Sequence, residues 1–294
     1  MRAYWIIGPG RMGLSLGSVL SGAGKAAEIL LVGRSERAPE HPLVNSPRAR
    51  YTARLSGPPA AATCLVIAVP DGAIAGVAEM VARLGGPGDG CVALHLSGAQ
   101  PAAVLAPLER CGYATGSLHP LQTVADPAHG AERLRDAFFT FEGGGEARER
   151  AAEIVEAAGG RMLEVHAADK ARYHAACVFA SNYVVACASV ATRLLAGAVN
   201  VSREEAAQAL EPLWRGAVAN LERSGLPRAL TGPVARGDVE TLRGHMATLS
   251  GGTRDLYGQL ALEALGLACE LGLAEETAAA IEAEIRSWET GEVD

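Results

Sequence analysis

The pattern of apolar and polar residues changes once along the chain, near residue 167. Before this point, short continuous apolar runs alternate with stretches of helical period. Continuous runs of this length are typical of strands that are buried on both faces of a parallel sheet. The predicted strands are Ala3–Ile7, Glu28–Val32, Cys64–Val69, Cys91–Leu96, Tyr113–Ser117, Ala137–Phe141 and Arg161–Val165. The alternation predicts an α/β domain over residues 1–167, with a doubly wound, mostly parallel sheet.

Helices are predicted between these strands, and residues 168–294 are predicted to form a second, all-α domain. The helices of the first domain are Leu14–Ala23, a stretch from Asp71 to about Leu84, Pro101–Cys111 and Glu146–Ala158. The second domain is rich in Ala and Leu at helical spacing. Its predicted helices are Ala168–Ala198, Arg203–Arg223, Asp238–Leu249, Thr253–Leu271 and Glu275–Trp288. The proline-rich stretch after Arg34 is predicted to be irregular and to cap the sheet or cover a ligand edge.

A glycine-rich turn joins the first strand to the first helix. Its sequence, Gly8-Pro9-Gly10-Arg11-Met12-Gly13, fits the G-x-G-x-x-G pattern and lies inside a complete βαβ unit. Gly8 permits a tight turn, Gly10 lets backbone N–H groups approach a pyrophosphate, and Gly13 lets the helix pack closely on the strand. The helix N-terminus adds unpaired N–H donors and a partial positive charge. The pattern therefore predicts a dinucleotide site, the alternative being a glycine turn that binds nothing.

The residues after the second strand indicate which dinucleotide is bound. NAD sites usually place a carboxylate here to bind the ribose 2′-hydroxyl. This chain has Gly33-Arg34-Ser35 instead. A guanidinium and a hydroxyl suit a 2′-phosphate, so the sequence favours NADP(H), with Arg34 and Ser35 as ligands. The alternative is that Arg34 is an ordinary solvated arginine.

Composition excludes some functions and leaves others open. Hydrophobic residues make up 49% of the chain and the net charge is −7, which argues against nucleic acid as a partner. No continuous apolar run reaches the ~18 residues of a membrane span, so no membrane partner is expected. The first strand begins too early to leave room for a signal peptide. The cysteines form no C-x-x-C pair, no metal site is predicted, and a reducing cytoplasm is the expected compartment.

Candidate catalytic residues follow the predicted strands, because ligands of open α/β sheets bind beyond the carboxyl ends of strands. Val69 and Pro70 end one strand and are expected to line the cofactor. Ser97 ends the next strand, and His119 follows the strand after that. A histidine there can exchange the proton that accompanies hydride transfer. It can equally bond a neighbouring carbonyl and only shape its loop.

A further polar cluster opens the helical domain. Lys170, His174, Cys177 and Ser181 share one helical face, and Asn182 follows. Lys170 is one of only two lysines in an arginine-rich chain, and its ammonium can donate a proton to a substrate carbonyl. The alternative is a lysine that points to solvent.

The segment around Arg236 is a second polar site in this domain. Arg236 and His245 offer an anion-binding option, whereas Asp238 fits the N-cap of the next helix.

These motifs together resemble a known family. The succession IIGPGRMG, VPDGAI, HLSGAQP, GSLHPLQT, KARYHAACVFASNY and LTGPVARGD is similar to Rossmann-like proteins with a DUF2520 C-terminal domain, within the 6-phosphogluconate-dehydrogenase-like reductases. The resemblance implies an NADP-binding Rossmann domain, a helical dimerisation domain and oxidoreductase activity. Ser97 and His119-Pro120 are similar to elements of prephenate dehydrogenases, although Leu121-Gln122 departs from their pattern. Lys170-x-x-x-His174 is similar to the Lys-x-x-x-Asn of β-hydroxyacid dehydrogenases and ketopantoate reductases, where the lysine is the general acid.

The expected function is NADP(H)-dependent hydride transfer to or from a small carbonyl or hydroxy compound, such as a carboxylate. Lys170 is the expected proton donor, with His119, His174 and Ser97 as the other catalytic candidates. Ser181, Asn182 and Arg236 are the candidates for substrate binding. Imine reduction of the pyrroline-carboxylate-reductase type, or a non-catalytic NADP-binding regulator, are the alternatives. The long apolar helices further predict a homodimer through residues 168–294.

Overall fold

The structure is a computed structural model, and it describes residues 2–290. Eight strands form one sheet in the order β3-β2-β1-β4-β5-β6-β7-β8. All neighbouring strands are parallel except β6 and β7, so the predicted doubly wound, mostly parallel sheet is confirmed. The strands are β1 (Arg2–Ile7), β2 (Ala26–Val32), β3 (Ala49–Thr52), β4 (Cys64–Ile67), β5 (Val92–His95), β6 (Ala114–Pro120), β7 (Phe138–Gly143) and β8 (Arg161–Glu164).

Helices cover both faces of the sheet, and further helices with short connections follow it up to residue 290. The helices are α1 (Arg11–Gly22), α2 (Asp71–Ala82), α3 (Ala106–Glu109), α4 (Gly130–Leu134), α5 (Gly145–Ala157), α6 (Lys170–Ala180), α7 (Asn182–Val199), α8 (Arg203–Ser224), α9 (Pro233–Arg236), α10 (Val239–Thr248), α11 (Gly251–Glu270) and α12 (Glu275–Thr290). Helices α1 and α5 pack on one face through residues such as Leu16, Leu20 and Ile154. Helices α2 and α3 pack on the other face through Ile74 and Leu108. The apolar strands are therefore buried on both sides.

The chain forms two compact units, residues 1–182 and 183–294. The first contains the whole sheet together with α6, and the second contains most of α7 and all later helices. The second unit has its own core, in which Leu242 of α10, Leu265 of α11 and Ile281 of α12 are buried. The division at residue 167 into cofactor and helical domains stays a prediction.

Three local expectations are wrong. The proline-rich stretch contains the edge strand β3, whose parallel pairing with β2 was not visible in its short, polar sequence. The helix expected over Pro101–Cys111 is a short 3₁₀ turn followed by the single turn of α3. The helix expected over Ala168–Ala198 is broken between α6 and α7 at Ser181, whose hydroxyl donates to the Cys177 carbonyl at 2.7 Å. Such side-chain bonds compete with the helical backbone ladder.

The segment Ala167–Val199 bears on the expectation that no membrane partner is involved, and that expectation stays a prediction. It is long and apolar enough, with a mean hydropathy of 1.6 over its most apolar window, to cross a membrane by length and composition. One helix of this kind is weak support for a span, since core helices of soluble proteins pass the same test. The apolar side chains of this window are not buried within the chain.

Candidate active site

The turn after β1 has the geometry of a dinucleotide cradle. Gly8 has a φ of +98°, and a Cβ there would collide with the Ala68 carbonyl and come within 2.8 Å of Val69 Cγ1. A Cβ on Gly13 would collide with the Gly8 carbonyl oxygen. A Cβ on Gly10 would meet nothing within 4 Å, so the turn is open on that side. Helix α1 starts at Arg11 with no side-chain cap on its first turn, which leaves its N–H groups for an anion.

Arg34 lies just beyond β2, at the edge where the cradle opens. The neighbouring arginines are paired, since Arg37 forms an ion pair with Glu40 and Arg54 lies 3.7 Å from Glu36. Arg34 is exposed and has no carboxylate partner among residues 2–290. Ser35 Oγ accepts a hydrogen bond from the N–H of Arg37 at 3.1 Å. A cation without a counter-charge at this position fits a 2′-phosphate.

Val69 and Pro70 connect β4 to α2 on the same edge of the sheet. Val69 packs against the glycine turn, and Pro70 is the N-cap residue of α2. Asp71 starts this helix, where a carboxylate interacts favourably with the helix dipole. The residues expected to line the cofactor therefore surround the carboxyl ends of β1 and β4.

Lys170 lies on α6 beside the carboxyl ends of β5 and β6. Its side chain is almost fully buried, with 2% of the residue exposed. The ammonium donates to Ser117 Oγ at 2.6 Å and to the Ser97 carbonyl at 3.4 Å. Burial lowers the pKa of Lys170, while the charges of Glu142 and Asp71 oppose that shift. The structure thus brings Lys170 to the strand ends, and the alternative of a solvent-directed lysine is wrong.

Ser97 and His95 support the turn after β5. Ser97 Oγ accepts hydrogen bonds from the N–H groups of Ala99 at 3.2 Å and Gln100 at 3.0 Å. His95 Nδ1 accepts from the Ser97 N–H at 3.2 Å, and its Nε2 lies 3.3 Å from the Pro101 carbonyl oxygen. Burial, and then the charge of Lys170, lower the pKa of His95 to about 4. A neutral imidazole therefore holds the turn in place, and the Ser97 hydroxyl keeps its proton to donate.

His119 forms a second pair with α6. Its Nδ1 lies 2.5 Å from the hydroxyl of Tyr173, and its ring meets that of His174 edge to face at 5.9 Å between centroids. Gly98 makes room for both rings, since a Cβ there would lie 2.6 Å from His174 Nδ1 and 3.0 Å from His119 Nδ1. Burial, followed by the charges of His174 and Lys170, lowers the pKa of His119 to about 4. His174 Nδ1 is buried without a hydrogen-bond partner.

The position of His119 differs from the expected one. The predicted strand ends at Ser117, whereas β6 continues to Pro120 because β7 pairs with it antiparallel, with His119 opposite Thr140. His119 is therefore a strand residue on the same side of β6 as Ser117. Its Nδ1 contacts a tyrosine hydroxyl and not a loop carbonyl, and the catalytic role of His119 stays a prediction.

The remaining candidates lie elsewhere in the structure. Ser181 and Asn182 are at the break between α6 and α7, with Ser181 Oγ 2.9 Å from Asn182 Oδ1. Arg236 ends α9 in the second unit, where its guanidinium lies 3.9 Å from Asp238. Asp238 accepts from the Thr241 N–H at 3.1 Å and is the N-cap of α10, as predicted.

Sequence reasoning missed Ser117, Thr140 and Tyr173. The hydroxyl of Ser117 accepts a hydrogen bond from the Lys170 ammonium, and the hydroxyl of Tyr173 is hydrogen-bonded to Nδ1 of His119. The available signal for Tyr173 was its place three residues after Lys170, which puts both on one face of a helix. Within residues 2–290, no group of three or more His, Cys, Asp or Glu side chains is arranged to hold a metal.

Two family models match the chain, one after the other. The model of the Rossmann-like domain matches residues 3–120, and that of DUF2520, a domain of unknown function, matches residues 137–264. The chain carries a Rossmann-like domain and a DUF2520 domain. The predicted resemblance is thereby confirmed. The DUF2520 match contains Lys170, Tyr173 and His174, and the Rossmann-like match contains Ser97 and His119.

Solved structures share this fold at low sequence identity. Protein TM1727 from Thermotoga maritima is 23% identical, with a TM-score of 0.70 over 91% of this chain and 98% of its own. BF3122 from Bacteroides fragilis, named as an NADP oxidoreductase, is 21% identical, with a TM-score of 0.65 over 90% and 98%. A pyrroline carboxylate reductase from Plasmodium falciparum with NADP bound is 14% identical, with a TM-score of 0.52 over 95% and 99%. Among curated proteins, no sequence matches this chain.

Proposed function

We propose that this protein is an NADP(H)-dependent oxidoreductase acting on a small carbonyl or hydroxy compound that carries a carboxylate. The observation that carries the proposal is the placement of a buried lysine and two histidines at the sheet edge that also holds the glycine cradle. Parallel strands β1, β4, β5 and β6 end along this edge. Ligands of open α/β sheets bind there, so cofactor and proton-transfer groups would meet in one place.

The residues of the cradle fit NADP(H). Backbone N–H groups of the turn Gly8–Gly13, including those of Arg11 and Met12, would hold the pyrophosphate, since Gly10 leaves the space open. Arg34 and Ser35 would bind the 2′-phosphate, and Val69 and Pro70 would line the nucleotide. When bound, NADP(H) supplies or accepts the hydride.

Lys170 is the proposed proton donor to the reacting substrate atom. Two of its three N–H bonds have partners among the described residues, Ser117 and Ser97, which leaves the third for a substrate oxygen. The lowered pKa of Lys170 brings proton release closer to neutral pH. Ser97 would donate its hydroxyl proton to substrate or to the nicotinamide ribose.

His119 and His174 would position the substrate, and residues at the end of α6 would bind its carboxylate. His119 and His174 form a wall of the site beside Gly98. Ser181 and Asn182 are proposed carboxylate ligands, and the Ser181 hydroxyl would then exchange its bond to the Cys177 carbonyl for one to the carboxylate. Arg236, in the second unit, stays a candidate for substrate binding from the sequence. We also propose a reducing cytoplasm as the compartment, which suits the free thiols of all six cysteines.

Imine reduction is the second candidate reaction. It is favoured by the fold shared with the NADP-bound pyrroline carboxylate reductase, an enzyme type that reduces a C=N bond. The same cluster can serve both reactions, because a C=N and a C=O bond each need one hydride and one proton. The substrate atom that receives the proton is nitrogen in one case and oxygen in the other.

A substrate panel tests the proposal. Purified protein with NADPH is mixed with 2-oxo acids, 3-oxo acids, aldehydes and cyclic imines, and loss of the NADPH absorbance is followed. We expect turnover with an oxo acid, and turnover confined to cyclic imines would replace the first candidate with the second. If the unmodified protein binds NADPH tightly but oxidises it with no compound of the panel, and Lys170→Met behaves in the same way, the protein is a non-catalytic NADPH-binding protein. That result would overturn the proposal.

A further inference from the structure

Three polar side chains, on β7, α6 and β6, lie near one another. Thr140 on β7 is opposite His119 on β6 in the antiparallel register. Tyr173 on α6 lies between them, with its hydroxyl 2.5 Å from His119 Nδ1. The Thr140 hydroxyl is buried, has no partner at full hydrogen-bond distance, and lies close enough to Tyr173 to oppose the effect of burial on its pKa.

The contacts indicate which atom donates in the Tyr173–His119 hydrogen bond. A half-buried phenol must pass its proton to an acceptor, because an unpaired O–H in this setting costs free energy. Nδ1 of His119 is an acceptor at 2.5 Å from the phenol oxygen. The thiol of Cys177, which also raises the pKa of Tyr173, is a much weaker acceptor. Tyr173 then donates to Nδ1, and the ring proton of a neutral His119 must reside on Nε2.

Nε2 of His119 is the nitrogen left for a ligand. Within residues 2–290 it has no protein partner, and it is not among the buried atoms that lack one, so it keeps contact with solvent. The charged or titratable groups that act on His119 are His174 and Lys170 on α6 and Asp71 on α2. The two on α6 disfavour a charged imidazolium, and burial does so more strongly.

We propose that Tyr173 is a positioning residue that fixes His119 as the neutral Nε2–H tautomer, so that Nε2 donates a hydrogen bond to one lone pair of the reacting carbonyl oxygen and leaves the other lone pair for the proton from Lys170. A neutral imidazole can polarise a carbonyl without transferring its own proton. Lys170 then supplies the proton while His119 holds the bond polarised. The role in catalysis rests on the proposed function, whereas the tautomer itself does not.

Nitrogen NMR of the full chain tests the tautomer without any substrate or cofactor. The protein is labelled with ¹⁵N-histidine, and the His119 signals are assigned by their loss in His119→Gln. We expect a pyridine-like Nδ1 shift and a pyrrole-like Nε2 shift near neutral pH. In Tyr173→Phe we expect these shifts to move toward a mixture of tautomers. A protonated Nδ1 in the unmodified protein, or unchanged shifts in Tyr173→Phe, would overturn the proposal.

A matched control is Tyr113→Phe. Tyr113 lies just before β6, and its buried hydroxyl has no partner, so its removal leaves the site and the His119 shifts unchanged. With a substrate from the panel, Tyr173→Phe is expected to lower kcat about tenfold or more with little change in KM, as for partners that orient a histidine. Normal kcat in Tyr173→Phe despite shifted nitrogen signals would refute the catalytic role. Correct tautomer shifts in a protein that oxidises no NADPH would refute only the proposed function.

Discussion

Lys170 is as buried as many leucines of the sheet core, and this is unusual for a charged residue. Its ammonium is held by the hydroxyl of Ser117 and the carbonyl of Ser97, which replace part of its hydration. Burial lowers its pKa, and the more distant carboxylates of Glu142 and Asp71 oppose that shift only in part. The residue-level chemistry of the site thus depends on burial, as it does for the neutral histidines His95 and His119.

Replacement of Lys170 tests its role as proton donor. Lys170→Met is expected to lower kcat about 100-fold or more with little change in NADPH affinity. Lys170→Arg is expected to be nearly as harmful, because a guanidinium does not release a proton near neutral pH. Turnover is measured with a substrate from the panel. The control is Lys25→Met, which removes the other lysine, an exposed partner of Glu156. Near-normal activity of Lys170→Arg would contradict the assignment.

Replacement of Arg34 tests the choice of cofactor. A charge-assisted contact to the 2′-phosphate contributes roughly 1.5–3 kcal/mol, so NADPH is expected to bind about tenfold or more tightly than NADH. Arg34→Asp is expected to abolish or invert this preference, as measured by fluorescence titration with both nucleotides. Arg110→Asp makes the same charge change at the end of α3, away from β2, and is expected to keep the preference. Equal affinities in the unmodified protein would contradict the prediction.

At the scale of elements, two glycines of the turn between β1 and α1 have different roles, one in packing and one in ligand binding. Gly13 is required by packing, since a Cβ there would collide with the Gly8 carbonyl. Gly10 faces open space and has a φ of −88°, a backbone conformation that alanine adopts without strain. Packing within the protein therefore explains Gly13 but does not require glycine at position 10, where the proposed nucleotide would.

Two alanine variants distinguish these roles. Gly10→Ala is expected to keep the thermal unfolding temperature of the unmodified protein but to lose most of its NADPH affinity, because the new methyl group would occupy the pyrophosphate position. Gly13→Ala is expected to unfold at a lower temperature even without nucleotide. Thermal unfolding with and without NADPH measures both effects. Unimpaired NADPH binding by Gly10→Ala would mean that the open side of the turn is not the nucleotide site.

At the scale of the whole molecule, the helices after the sheet expose many large apolar side chains. On α7 these are Val184, Val185, Leu194 and Val199, and on α8 they are Leu213, Val218 and Leu221. Val185 is 70% exposed and Leu213 is 69% exposed. Monomeric proteins seldom leave such surfaces uncovered, and two copies about a two-fold axis are the commonest way to bury them.

We therefore predict a homodimer built by residues 168–294, with more than about 2,000 Å² buried as in obligate pairs. Light scattering at micromolar concentration is expected to give twice the chain mass of 30.3 kDa. Val185→Glu places a charge on this surface and is expected to lower the measured mass toward that of one chain. Met80→Glu changes an exposed apolar residue of α2 and is the control. A monomeric mass for the unmodified protein would rule the dimer out.

The sequence by itself determined the features that depend on neighbours along the chain. The glycine turn, the buried strands and the helical second half follow from local pattern, because side-chain period and glycine spacing are set within a few residues. The pattern did not reveal β3, which is short and partly exposed, or the extension of β6 to Pro120. Both result from pairing with a strand distant in sequence.

The tertiary structure decided how the candidate residues combine. The sequence predicts Lys170, His119, His174 and Ser97 as candidates but not their contacts, because β5, β6 and α6 are separated along the chain. Packing of α6 against the strand ends pairs Lys170 with Ser117 and Tyr173 with His119; it buries the first pair and partly buries the second. Burial then lowers the pKa of Lys170 and His119 and raises that of Tyr173. The types of residue in the site were therefore readable from the sequence, whereas their partners and charge states depend on contacts that only the folded chain makes.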